Sequence, residues 1–125
     1  LRKKKMACNY LIISEDIVFS SIIQRYLLNS FSKPYIKTCN SFSSLKGLKD
    51  NENFDIILLD NSITGAANYE VITFLRHKKS ITTPVIYFSN MEIDIEKARQ
   101  KGANIFFKKP FVPTEVIKEI NSLLN

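Results

Sequence analysis

Asp60 ends the run Phe54-Asp55-Ile56-Ile57-Leu58-Leu59-Asp60, an apolar segment that stops on a carboxylate. Three other apolar runs also end on polar chemistry. Tyr10-Leu11-Ile12-Ile13 leads into Ser14-Glu15-Asp16, Pro84-Val85-Ile86-Tyr87-Phe88 into Ser89-Asn90, and Ile105-Phe106-Phe107 into Lys108-Lys109-Pro110. If each run is a strand of a parallel sheet, the endings meet in one crevice, because ligands sit beyond the carboxyl ends of such strands. Carboxylates from neighbouring strands repel and raise each other's pKa. A divalent cation removes that penalty, and Mg²⁺ takes oxygen ligands, often one or two carboxylates plus phosphate oxygens and waters. Glu15 and Asp60 would supply the carboxylates, and a backbone carbonyl near Ser62 another oxygen. One Asp60 oxygen is then left to attack phosphorus and form an aspartyl phosphate. Lys109 would reach the phosphoryl oxygens as a point charge, and Ser89 would donate a hydrogen bond to them. Taken singly, each residue has a plainer role. Glu15 or Asp16 would cap a helix, Ser89 would sit in a turn, and Lys109 would be solvated. Their joint order at strand ends favours the chemical reading.

The elements needed to position them are legible. Strands are expected at about Asn9 to Ser14, Tyr35 to Cys39, Phe54 to Asp60, Pro84 to Phe88 and Asn104 to Lys108. Helix one shows Val18, Phe19, Ile22, Ile23, Tyr26 and Leu27 at 3-4 spacing and is broken by Lys33-Pro34. Asn40 or Ser41 can cap helix two, with Phe42, Leu45 and Leu48 on one side. Helix three carries Val71, Ile72, Phe74 and Leu75. A short helix four, about Ile93 to Lys101, turns Ile95 and Ala98 inward and ends at Gly102. Helix five opens at Pro113-Thr114, with Val116, Ile117, Ile120, Leu123 and Leu124 as its apolar face. Strand and helix alternate five times. That pattern predicts an α/β fold, a doubly wound five-stranded parallel sheet of flavodoxin-like order 2-1-3-4-5 with helices on both faces. Strands one and three are then neighbours, and the acids after strand one lie beside Asp60.

The totals exclude several classes. A chain of 125 residues with 45% apolar content suits one domain with one core. Residues 1–7 read as a basic linker or non-native remnant and 8–125 as the domain. The net charge is +6, but four basic residues fall within positions 1–5, and the remainder carries 14 basic against 12 acidic residues. No basic stripe for direct nucleic-acid binding is visible. No run reaches the length of a membrane span, and no signal peptide is recognisable, so membrane insertion is not expected and a cytoplasmic location is. Cys8 and Cys39 form no motif and read as reduced, buried thiols. The three glycines make no phosphate-binding loop, and His77, the only histidine, falls in a basic helix end rather than a catalytic pattern.

Taken together, these residues resemble a response-regulator receiver domain of two-component signalling, over about Cys8 to Leu124. The strongest segment is Asp55-Ile56-Ile57-Leu58-Leu59-Asp60, similar to the strand bearing the family's phosphoacceptor. Lys101-Gly102-Ala103-Asn104-Ile105-Phe106-Phe107-Lys108-Lys109-Pro110-Phe111 resembles the family's Gly-Ala, aromatic and Lys-Pro-Phe sequence, and Thr83-Pro84-Val85-Ile86 leads to Ser89 at its Thr/Ser position. The resemblance implies that Asp60 is phosphorylated by a histidine kinase or histidine phosphotransfer protein and that Glu15 helps hold Mg²⁺. It further implies that Lys109 contacts the phosphoryl group, that Ser89 moves toward it, and that Phe106 follows as an aromatic switch. The family signals through the face of helix four, strand five and helix five to a downstream protein or output domain, and a homodimer through that side is left open. Such a protein is an enzyme only in catalysing phosphoryl transfer to and hydrolysis from its own aspartate.

The chain also departs from the family. Two adjacent acids usually follow strand one; here the positions read Ser14-Glu15-Asp16. The apolar spacing of helix one sets Glu15 as the second acid, with Ser14 in place of the first and Asp16 as the less favoured metal ligand. Thr64 stands where Pro is usual, Asn68 where Gly is usual, and Asn90 replaces a small residue. The segment from Ser89 to Lys109 is about two residues short, which predicts a clipped or reoriented helix four. These departures support an alternative, a degenerate receiver acting as a phosphorylation-independent protein-binding module.

Overall fold

The computed structural model describes residues 8–63 and 68–125. The expectations placed on residues 1–7, on Thr64 and on the Asn68 side chain lie outside the described residues. Five strands, β1 (Asn9–Ile13), β2 (Tyr35–Cys39), β3 (Ile56–Asp60), β4 (Val85–Ser89) and β5 (Ile105–Lys108), form one parallel sheet of order β2-β1-β3-β4-β5. The helices are α1 (Ile17–Ser30), α2 (Phe42–Lys46), α3 (Asn68–Thr73), α4 (Glu92–Lys101) and α5 (Pro113–Leu124). The expected topology is the observed one.

Side chains of successive strand residues point to opposite faces, and the two faces have separate cores. On one face Leu11, Ile13, Ile57, Leu59, Val85 and Tyr87 pack with Leu45 of α2, Val71 and Ile72 of α3, Leu75 just beyond α3, and Ala98 of α4. On the other, Tyr10, Ile12, Ile56, Leu58, Ile86 and Phe88 pack with Phe19, Ile23 and Leu27 of α1 and Val116 and Ile120 of α5. Burial on both faces is why the central strands read as unbroken apolar runs.

Local signals set most boundaries. Asp16 is the N-cap of α1, and its Oδ1 accepts from the N–H of Val18 at 2.9 Å and of Phe19 at 3.3 Å. Ser41 and Ser44 form a reciprocal cap on α2. Gly102 ends α4 at φ 115°, a left-handed conformation that suits glycine. Helix four spans ten residues, from Glu92, one residue before its expected start.

Three expectations need correction. Leu123, expected on the apolar face of α5, is 36% exposed, and α5 buries Val116 and Ile120. Val18 and Ile22 do not face the core. They are 66% and 38% exposed, and α1 buries only Phe19, Ile23 and Leu27. The 19-23-27 stripe packs in one core cluster with Phe88 and Ile120, and this packing leaves positions 18 and 22 beside it. In addition, helix three does not stay α-helical. Phe74–Lys78 form a π-turn in which Lys79 N–H reaches the Phe74 carbonyl at 3.1 Å. This turn presents Arg76, half-buried, to the carbonyls of Ile81 (2.9 Å), Thr83 (2.7 Å) and Gly102 (2.9 Å) and to Asn104 Oδ1 (2.9 Å). Burial lowers the Arg76 pKa, and the ring of acceptors holds the charge in place.

Candidate functional site

The ladder continues past the strand ends and brings four loops together. Ser14 N–H donates to Cys39 O at 3.0 Å, and Glu15 N–H to Ser62 O at 2.8 Å. Asn61 N–H donates to Phe88 O, and Lys109 N–H to Ser89 O, each at 3.0 Å. Parallel register therefore delivers Ser14, Asp60, Ser89 and Lys109 side by side, as a crevice at the β1/β3 switch point requires.

Asp60 is fully buried. Its Oδ2 accepts from Ser14 Oγ at 2.7 Å and from Ser62 Oγ at 2.6 Å. Its Oδ1 takes no hydroxyl or amide donor among the described residues; its partner is the Lys109 ammonium. Asymmetric donation orients the carboxylate, with two neutral hydroxyls on one oxygen and a cation on the other. The Ser14 hydroxyl also accepts the Asp16 N–H at 2.9 Å. Serine at position 14 thus supplies a hydrogen-bond donor where an acid would have faced Asp60 with a second charge.

Ser89 is also fully buried, but its hydrogen is directed away from Asp60. Ser89 Oγ donates to Asp94 Oδ2 at 2.6 Å and accepts from Asn61 Nδ2 at 3.2 Å and Met91 N–H at 3.1 Å. Asn61 bridges further, because its Oδ1 accepts from Lys109 Nζ at 2.8 Å and its Nδ2 also donates to Asn90 Oδ1 at 3.2 Å. Phe106 is half-buried against the α3/α4 core, with the Arg99 guanidinium 4.3 Å from its ring centroid.

Of the residues singled out from the sequence, Ser14, Ser62 and Lys109 each contact Asp60, and the Ser89 side chain joins them through Asn61. Glu15 is exposed at the rim, with its backbone tied to the Ser62 carbonyl. Asp16 spends its carboxylate on the α1 cap. Among the described residues no three His, Cys, Asp or Glu side chains converge as a metal cage. Asp60, Glu15 and the Ser62 carbonyl are hard oxygen donors with two carboxylates between them. They fit a cation that keeps several of its waters, as Mg²⁺ does.

Asn61, Tyr87 and Asp94 were not anticipated. Asn61 immediately follows Asp60 at a strand end, a position that could have marked it. Asp94 stands four residues before inward-facing Ala98 and hence on the same helix face. Among Glu92 and Glu96, however, it reads as one more acid complementing a helix N-terminus.

No helix among the described residues is long and apolar enough to cross a membrane. A family model for the response regulator receiver domain matches residues 10–121. A probable transcriptional regulator, ycf29, of Pyropia yezoensis is 31% identical over 122 residues, covering 95% of this chain and 54% of that protein. The response regulator SaeR of Staphylococcus aureus is 28% identical over 116 residues, covering 91% and 49%. The chain therefore spans about half the length of the curated relatives it matches. Among solved structures, the BeF3-activated DrrB receiver domain superposes with a TM-score of 0.81 at 19% identity, covering 95% of this chain and 98% of that one. The chemotaxis response regulator CheY4 of Vibrio cholerae gives 0.80 at 16%, covering 94% and 99%. Strand order, strand-end crevice and sequence match agree: the chain belongs to the response regulator receiver domain family.

Proposed function

We propose that this domain accepts a phosphoryl group on Asp60 from a histidine kinase or histidine phosphotransfer protein and passes the change to a downstream protein or output domain. The observation that carries the reading is the state of Asp60, a buried carboxylate held by two hydroxyls on Oδ2 with Oδ1 facing the Lys109 ammonium. Ser14 and Ser62 fix Oδ2, so Oδ1 is the oxygen left to act as nucleophile. In the transfer, an Oδ1–P bond forms as the donor's P–N bond breaks, and the imidazole leaves with a proton. The Lys109 ammonium, already at Oδ1, then follows the charge onto the phosphoryl oxygens. Asp60, Glu15 and the Ser62 carbonyl are the groups that would hold Mg²⁺, whose contribution when bound is to neutralise charge between carboxylate and phosphoryl oxygens. Phe106, under Arg99, is the aromatic side chain expected to respond, on the α4-β5-α5 face. This reading implies a cytoplasmic setting, where kinase and phosphodonor meet the domain.

One observation favours a second reading, a receiver that binds partners without phosphorylation. Ser14 already satisfies Asp60 in the place of an acid that would have drawn a metal. One experiment decides between them: intact mass after incubation with acetyl phosphate and Mg²⁺, beside Asp60→Asn. The expected result is a single phosphoryl adduct on the wild type, none on the variant and none without metal. An adduct on a folded Asp60→Asn protein would refute the assignment of Asp60. No adduct on the wild type, from acetyl phosphate or from a phosphorylated histidine phosphotransfer protein, would favour the binding module.

A further inference from the structure

Resting on the phospho-accepting reading, we propose that Asp94 is a positioning residue of the site: it holds the Ser89 hydroxyl away from Asp60 and ties the phosphorylation state to the first turn of α4. A serine hydroxyl has one hydrogen to give and two lone pairs to receive. At Ser89 all three are in use, by Asp94 Oδ2, Asn61 Nδ2 and Met91 N–H. Ser89 can therefore donate to a phosphoryl group on Asp60 only by leaving Asp94. Donation to a carboxylate at 2.6 Å is of the short, charge-assisted kind. Ser89 is fully buried and Asp94 nearly so, and water does not replace the bond when it breaks.

Two further contacts give the latch its leverage. Met91 is the N-cap of α4 and has no side-chain cap bond. Its N–H rests on Ser89 Oγ, while Asp94 lies in the first turn of the same helix. Moving Ser89 toward Asp60 undoes both pins at once. Asp94 is not thereby abandoned, because the buried Tyr87 hydroxyl donates to the same Oδ2 at 2.6 Å. Burial first, and then this bond to Asp94, push the Tyr87 phenol well above its ordinary pKa, so the phenol keeps its proton to donate. Tyr87 thus allows Ser89 to leave while α4 adjusts. Asp94 acts as a counterweight to phosphorylation, lowering the population of the phosphorylated arrangement and tying that population to the placement of α4.

The test uses wild type, Asp94→Asn, Ser89→Ala and the double variant, each checked for cooperative urea unfolding. Asparagine keeps the shape and an acceptor for Tyr87 but removes the charge. With acetyl phosphate and Mg²⁺, Asp94→Asn should raise the ratio of phosphorylated to unphosphorylated protein by on the order of tenfold, the weight of one charge-assisted hydrogen bond. In the Ser89→Ala background the same substitution should change nothing. The unfolding data supply a readout that needs no phosphodonor, in which the two substitutions must be non-additive. An unchanged ratio, an equal rise in both backgrounds, or additive unfolding effects would overturn the latch alone. Absence of any adduct on the wild type, from acetyl phosphate or from a phosphorylated histidine phosphotransfer protein, would overturn the phospho-accepting reading and the latch with it.

Discussion

Replacing Ser14 with aspartate restores the charge that the sequence lacks and tests how Asp60 is held. Ser14 Oγ lies 2.7 Å from Asp60 Oδ2, with Ser14 nearly and Asp60 fully buried. Ser14→Asp removes a donor to a buried carboxylate, a loss of about 1.5–3 kcal/mol. It also sets a second carboxylate against the first. Two unit charges about 4 Å apart at an effective dielectric of about 20 repel by roughly 4 kcal/mol. One of the two acids can relieve this by binding a proton, which caps the sum, and the expected metal-free penalty is about 3–5 kcal/mol. For a domain of 125 residues that is a fall in Tm on the order of 10–20 °C. Mg²⁺ should reverse the sign of the argument, because the added carboxylate becomes a ligand. At a free concentration about 100-fold above Kd, binding returns about 2.7 kcal/mol. Thermal unfolding followed by circular dichroism, in EDTA and across a Mg²⁺ titration, reads both quantities. Ser14→Asp should lose stability in EDTA and gain more from Mg²⁺ than the wild type does. A variant as stable as wild type in EDTA, or one that gains no more from Mg²⁺, would refute this account of the site's electrostatics.

Two other outcomes follow from the geometry. Glu15→Gln should weaken Mg²⁺ binding measured by calorimetry more than Asp16→Asn does, because Asp16 is committed to the α1 cap; asparagine also caps well, so Asp16→Asn should alter stability by less than about 0.5 kcal/mol. Arg76→Ala should lower the urea-unfolding free energy by at least about 3 kcal/mol, and Arg76→Lys should recover little of it, because one ammonium cannot reproduce a planar fork that serves four acceptors.

The strand order was legible because hydrophobic runs, turn residues and helix caps are local properties, and right-handed crossovers leave few ways to join five alternating units. Asp60 was legible for a related reason, as a carboxylate that closes a strand buried on both faces. Lys109 lies one residue past β5 and was legible through its Lys-Pro-Phe context, whereas Lys108, which closes β5, is exposed and pairs with Glu92. The rotation of α1 was not legible. Val18 and Ile22 fit the helical period as well as Phe19 and Ile23 do, and only packing against Phe88 and Ile120 chooses between the two stripes. The π-turn and the Arg76 clamp were likewise invisible, since the carbonyls that hold the guanidinium come from Ile81, Thr83 and Gly102 on separate segments.

By itself the sequence determined the fold class and the placement of Asp60, Ser89 and Lys109 at the sheet's carboxyl end, because both depend on the order and period of residues along the chain. The direction in which each hydroxyl gives its hydrogen was decided by tertiary structure. Ser14 and Ser62 give theirs to Asp60, while Ser89 gives its own to Asp94. A hydroxyl rotates to the strongest acceptor within reach, and that acceptor is fixed by how α4 and the strand ends pack, not by its neighbours in sequence.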